Sequence, residues 1–202
     1  MINAEDINEV APGIFVWQAY DPEVKAELFS TALKTALGTY LVDPIPIGLP
    51  EAAALAKHVV GICITNSNHI RAAVAFAETT SAPIYVHHEL AGTPDFPNAA
   101  GVTGNRQLAQ GLTGIMIDGG PLGEMALHYV EDGGTMIIGD ALINFDPYGF
   151  EFLPAKYCQN AKQMRRSLRK LLDFSFDRMF FAHGTPILSN ARTCLERLLT
   201  GR

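Results

Sequence analysis

The run Val59 to Thr65, VVGICIT, is continuously apolar up to its final threonine and carries no charge. A stretch of that length and character is typical of a strand buried on both faces. Asn66, Ser67 and Asn68 then offer helix-capping side chains ahead of the run IRAAVAFAETT. Pro83 to His88, PIYVHH, reads as the next strand. The middle of the chain is therefore strand, helix, strand, and the rest must supply layers that cover it.

Upstream, Gly13 to Trp17, Ala26 to Thr31 and Thr39 to Val42 have the β-branched, aromatic or alternating apolar residues of strands. Asp43-Pro44, with Pro46 and Pro50, stops the last of them, and PEAAALAKH over 50–58 predicts a short helix. Residues 89–111 read as a long loop of the kind that often binds a ligand. Strands follow at Thr113 to Asp118, Glu124 to Val130 and Thr135 to Gly139, with Asp132-Gly133-Gly134 as a hairpin between the last two. A helix is expected over Gln159 to Leu172, a strand over Arg178 to Ala182, and a closing helix over Asn190 to Leu199 with Asn190 as its cap. Strands in two groups, each followed by helices, predict two sheets with helices outside, in one domain spanning 1–202.

Composition narrows the function. Of 202 residues, 48% are apolar and 18% charged, which suits a globular chain. A net charge of −6 gives no general attraction for nucleic acid or for an anionic membrane. No apolar stretch approaches the roughly 20 residues that span a bilayer, and MINAEDINEV lacks a basic-then-apolar signal, so a cytoplasmic location is expected. Cys63, Cys158 and Cys194 form no CxxC pair, and Cys63 reads as a small buried hydrophobe. Lys162, Arg165, Arg166, Arg169 and Lys170 make one basic helix face opposite Met164, Leu168, Leu171 and Leu172. That face reads as the solvated side of an amphipathic helix. A Ser/His/Asp hydrolase finds no G-x-S-x-G elbow, and no glycine pair is followed by the Lys-Ser/Thr of a phosphate loop.

Five landmarks in order resemble the metallo-β-lactamase superfamily: Leu41-Val42-Asp43-Pro44; Thr65 to Arg71; Gly119-Gly120-Pro121-Leu122-Gly123-Glu124; Gly139-Asp140; and His183-Gly184. The resemblance implies a four-layer αββα sandwich of the α/β (α+β) class. It also implies a hydrolase site at the loops after residues 65, 118, 139 and 182, acting on esters, thioesters, lactams or phosphodiesters.

The family's T-H-x-H-x-D-H is matched here by Thr65-Asn66-Ser67-Asn68-His69-Ile70-Arg71, and its G-H turn by Gly119-Gly120. The implied ligands of the first metal are thus Asn66, Asn68, Gly120 and Asp140, and those of the second are Ile70, Arg71, Asp140 and His183. Neutral Asn oxygens are poor zinc ligands, Gly offers none, and a guanidinium cannot ligate a cation. The expectation is a relic without zinc, binding a small and perhaps anionic molecule near Arg71, Asp140 and His183, with Arg71 paired to Asp140 where the second metal would sit. Asn66, Asn68 and His69 are further candidate contacts, although the family residue at the position of His69 generally points away from the metals. The alternative is a hydrolase using zinc or another divalent metal on Asp140 and His183, with His69 or Asp118 completing the set. Partners are limited to a small-molecule ligand or substrate, with no nucleic acid and no membrane; self-association is left open.

Overall fold

The computed structural model describes residues 3–4, 6–48, 54–55, 57–145 and 149–201. They sort into two compact units, Met1–Val102 and Thr103–Arg202.

The first unit is built on a seven-stranded sheet in chain order: β1 (Asn8–Ala11), β2 (Ile14–Asp21), β3 (Ala26–Thr35), β4 (Gly38–Val42), β5 (Val59–Cys63), β6 (Ile84–His87) and β7 (Ala100–Val102). Tight turns make β1 to β4 antiparallel, whereas the longer connections after β4 return the chain parallel through β7. Helix α1 (Ala73–Thr80) is one such connection. It starts later than the apolar run IRAAVAFAETT suggests, because Ser67–His69 form a 3-10 turn and Arg71 takes a left-handed φ of 40°. Trp17, Leu41, Ile45, Ile62, Ile64, Ala73 and Val86 belong to one buried cluster, and the Trp17 indole N–H donates to the Ile45 carbonyl at 3.0 Å. Cys63 is fully buried, as its apolar run predicts. The helix expected over 50–58 falls largely outside the described residues.

The second unit holds a five-stranded sheet ordered β14-β11-β10-β9-β8 and a separate hairpin, β12-β13. The strands are β8 (Asn105–Ala109), β9 (Leu112–Met116), β10 (Met125–Tyr129), β11 (Thr135–Ile138), β12 (Leu142–Phe145), β13 (Gly149–Phe152) and β14 (Arg178–Phe181). Helices α2 (Ala161–Ser167) and α3 (Ala191–Thr200) bury Met164, Ala191, Leu195 and Leu199 with Ile115, Ile138, Met179 and Phe181. Burying a side chain of the Leu, Ile or Met type contributes about 1.5–3 kcal/mol.

Four expectations need correction here. Residues 89–111 are not one loop: they contain β7 and β8. The helix expected over Gln159 to Leu172 is α only over Ala161–Ser167 and tightens into a 3-10 helix over Leu168–Asp173. Leu142–Phe145 and Gly149–Phe152, given no strand by their pattern, pair as the antiparallel strands β12 and β13. Asn190 does not cap α3 with its side chain; it sits at φ 55°, and its own N–H donates to Asp177 Oδ1 at 2.6 Å. Among the described residues no helix is long and apolar enough to cross a membrane.

Candidate functional site

In the first unit the LVDP strand end delivers Asp43 into a buried position, with its backbone turned to a left-handed φ of 47°. The carboxylate is held from several sides. Oδ1 accepts the Thr65 N–H at 2.8 Å, and Oδ2 lies 2.5 Å from the Thr65 hydroxyl and 3.0 Å from His69 Nδ1. Thr65 Oγ1 is also 2.8 Å from that same Nδ1. These contacts are jointly satisfied only if the hydroxyl donates to Asp43 and Nδ1–H donates to both oxygens. Nδ1 is then a protonated nitrogen held facing the carboxylate. A carboxylate holding a histidine by its other nitrogen is the arrangement that orients metal-ligating imidazoles.

Burial alone would raise the Asp43 carboxyl. The His69 charge and hydrogen bond, the Arg71 guanidinium and the Thr65 hydroxyl outweigh it and hold the group below the usual carboxylate range. Arg71 Nη1 donates to the Phe29 carbonyl at 2.6 Å and to the Asp43 carbonyl at 3.0 Å. Ser30 Oγ donates to the same Asp43 carbonyl at 2.6 Å and accepts from Ile45 N–H at 2.9 Å. Asp43 and Arg71 are both non-glycine residues at positive φ, a conformation that costs of order 1–3 kcal/mol and concentrates at functional sites.

Asn66 and Asn68 differ in placement. Asn66 is buried, and its Oδ1 accepts the Asn68 N–H at 2.9 Å to cap the 3-10 turn; Asn68 is exposed.

In the second unit Asp140 and His183 are brought together by strand register. β11 and β14 run parallel with Ile138 opposite Phe181, and each site residue lies two positions beyond that pair. His183 Nε2 is 3.4 Å from Asp140 Oδ1. Gly184 follows His183 at φ 105° and forms a bridge to Asn144, where a Cβ would lie 2.1 Å from the Asn144 carbonyl oxygen. Only glycine lets the two backbones approach this closely.

The turn bearing Gly120 is closed against a side chain. A Cβ there would meet Glu124 Cγ at 2.9 Å, and Glu124 is buried with Oε1 accepting the Ala141 N–H at 2.9 Å.

Asp118 is half-exposed; its Oδ2 lies 2.6 Å from Lys170 Nζ and accepts from Ser167 Oγ at 3.2 Å, so a cation is already its partner. His128 donates to the Ser175 carbonyl at 2.8 Å and rests against Phe174, as a satisfied core histidine does. His87 accepts the Glu89 N–H at 3.2 Å. The feature that sequence reasoning missed is the orienting contact from Asp43 to His69. The two are 26 residues apart, and no local pattern links them.

The profile of the metallo-beta-lactamase superfamily matches residues 8–201. The chain belongs to that superfamily. Its fold is similar to a metallo-beta-lactamase from Pontibacter korlensis, with a TM-score of 0.76 at 11% identity and 100% of each chain covered. A metallo-beta-lactamase family protein from Thermus thermophilus superposes with a TM-score of 0.69 at 20% identity, over 96% of this chain and 80% of that one. An archaeal superfamily protein from Sulfolobus tokodaii gives 0.66 at 14% identity, over 86% and 79%. No curated protein matches the chain. The expected fold class is therefore the one the chain adopts.

Proposed function

We propose that this chain keeps one divalent-metal site where the family has two. Asp140 and His183 supply two of its ligands, and the protein acts as a hydrolase on a small ester, thioester or phosphodiester. The observation that carries this reading is the separation of His183 Nε2 from Asp140 Oδ1, 3.4 Å. That is longer than the about 2.7–2.9 Å of a charge-assisted hydrogen bond. It is close to the roughly 3.3 Å between two donors on a tetrahedral ion with bonds of about 2.0–2.1 Å. An ion so held would supply Lewis acidity. The β11-β14 register holds the two donors. The residues do not fit a second ion, since Asn66, Asn68, Ile70, Arg71 and Gly120 offer no ligand set for one.

A second reading keeps the relic, which binds a small anion without metal. The fixed charge of Arg71, anchored on the Phe29 and Asp43 carbonyls, favours it. A cytoplasmic location and a small-molecule partner belong to both readings.

Metal analysis of the full chain, purified without chelators, separates them. The first reading expects about one divalent ion per chain, lost in Asp140→Asn and in His183→Gln. Metal-free protein that takes up no zinc, iron or manganese when these are added overturns it and leaves the relic.

A further inference from the structure

The basic side chains of α2 and of the 3-10 turn after it are exposed, as a solvated face requires. Lys162, Arg165, Arg166 and Arg169 line a cleft of about 420 Å³, with Phe152 and Leu198 among its apolar walls. That volume lies within the range of small-molecule sites. All of these residues belong to the second unit. Among the described residues none of the four cations makes an ion pair, whereas three other basic side chains of this unit do. Lys170 is paired with Asp118, Arg178 with Asp132 and Arg192 with Glu196.

Two of the four are already positioned. The Arg165 guanidinium lies over the Phe152 ring at 4.7 Å, and Arg169 Nη2 donates to the Leu199 carbonyl at 2.9 Å near the end of α3. Ordering them on a ligand therefore costs less side-chain entropy than ordering free arginines. Four uncompensated cations converging on one cleft are out of place in a chain of net charge −6 unless an anion sits among them.

We propose that this cleft is a binding site, separate from the Asp140 and His183 centre, for a small molecule bearing at least two phosphate charges. Arg guanidinium forks match phosphate oxygens two at a time, and Lys162 adds a point charge. Phe152 and Leu198 give an organic portion of such a ligand an apolar wall.

Calorimetric titration of the full chain, dialysed free of metal, with inorganic pyrophosphate and with ADP tests this. Saturable binding is expected, weakening as salt rises. The double variant Lys162→Ala/Arg166→Ala should lose tenfold or more in affinity with its melting temperature unchanged, since neither side chain holds the fold together. Asp140→Asn should bind as the wild type does, and so should Lys57→Ala, which removes a charge elsewhere. No binding at millimolar pyrophosphate or ADP overturns the proposal, as does an equal loss in Lys57→Ala. Tighter binding of a single-stranded RNA oligonucleotide than of either small anion also overturns it, in favour of a nucleic-acid surface.

Discussion

The Glu124 side chain occupies the space that a side chain on Gly120 would need, its Cγ 2.9 Å from the position of a Cβ. Glu124 cannot simply swing away, because it is buried and its Oε1 accepts the Ala141 N–H next to Asp140. Gly120→His should therefore destabilise the protein by about 1–3 kcal/mol through overpacking. It should add no second metal equivalent. Chemical denaturation and metal analysis of the purified variant check both parts.

Asp43 sits at the centre of a buried polar cluster, so Asp43→Asn should cost about 1–3 kcal/mol, because an amide NH2 in place of Oδ2 leaves the Thr65 hydroxyl and His69 Nδ1–H without their acceptor. The pH dependence has a definite sign. The folded carboxyl lies below its unfolded value of about 3.9, so its contribution is complete above that value and is lost as pH falls through the folded one. Wild type and Asp43→Asn should thus differ most near neutral pH and converge in acid. Urea midpoints measured from neutral pH to about pH 3 would reveal that convergence, and a gap that widens in acid would contradict it.

At Gly184 the expected effect is larger. Alanine there combines a φ of 105° with a carbonyl oxygen 2.1 Å from the new Cβ. Gly184→Ala should lose more than about 3 kcal/mol and misplace His183, whose carbonyl accepts the Asn144 N–H at 3.3 Å. Thermal melts of the variant beside wild type measure the loss, and any metal binding should fall with it.

Burial pushes the Cys63 thiol far above its ordinary value, and the nearby Asp43 charge adds to the effect. Cys63 should therefore resist a thiol-specific reagent at pH 8 until the protein unfolds. Cys158 and Cys194, both partly exposed, should label in the native state, with Cys158 slowed because burial raises it too. Mass spectrometry of the labelled peptides distinguishes the three.

How far the sequence could be read depended on whether the signal was local. The buried strand Val59–Cys63 stood out because both faces are covered, which leaves no polar residue in it. β8 was hidden for the opposite reason: NRQLA is an edge strand with its first three residues exposed, so no apolar alternation marks it. β12 and β13 are short strands with mixed burial, and residues 146–148 lie outside the described residues. Asn190 looked like a cap because its residue type suits one, yet the N–H it needed to satisfy was its own, and Asp177 accepts it from 13 residues away. The same distinction runs through the site. Asp140 and His183 were legible as strand-end landmarks. The tie from Asp43 to His69 exists only once β4 and β5 lie side by side and bring Asp43 to Thr65.

The alignment of β11 with β14 has a consequence for how this protein can fail. Side chains alternate along a strand, so slipping one of these neighbours by a single residue would turn either Asp140 or His183 toward the opposite side of its sheet. What prevents the slip is hydrophobic: Met136, Ile138, Met179 and Phe181, all buried in one cluster with α2 and α3. Chemistry at the strand tips is thus indexed by greasy teeth several residues behind them. Damage to those teeth would silence the site while the chain still looked folded.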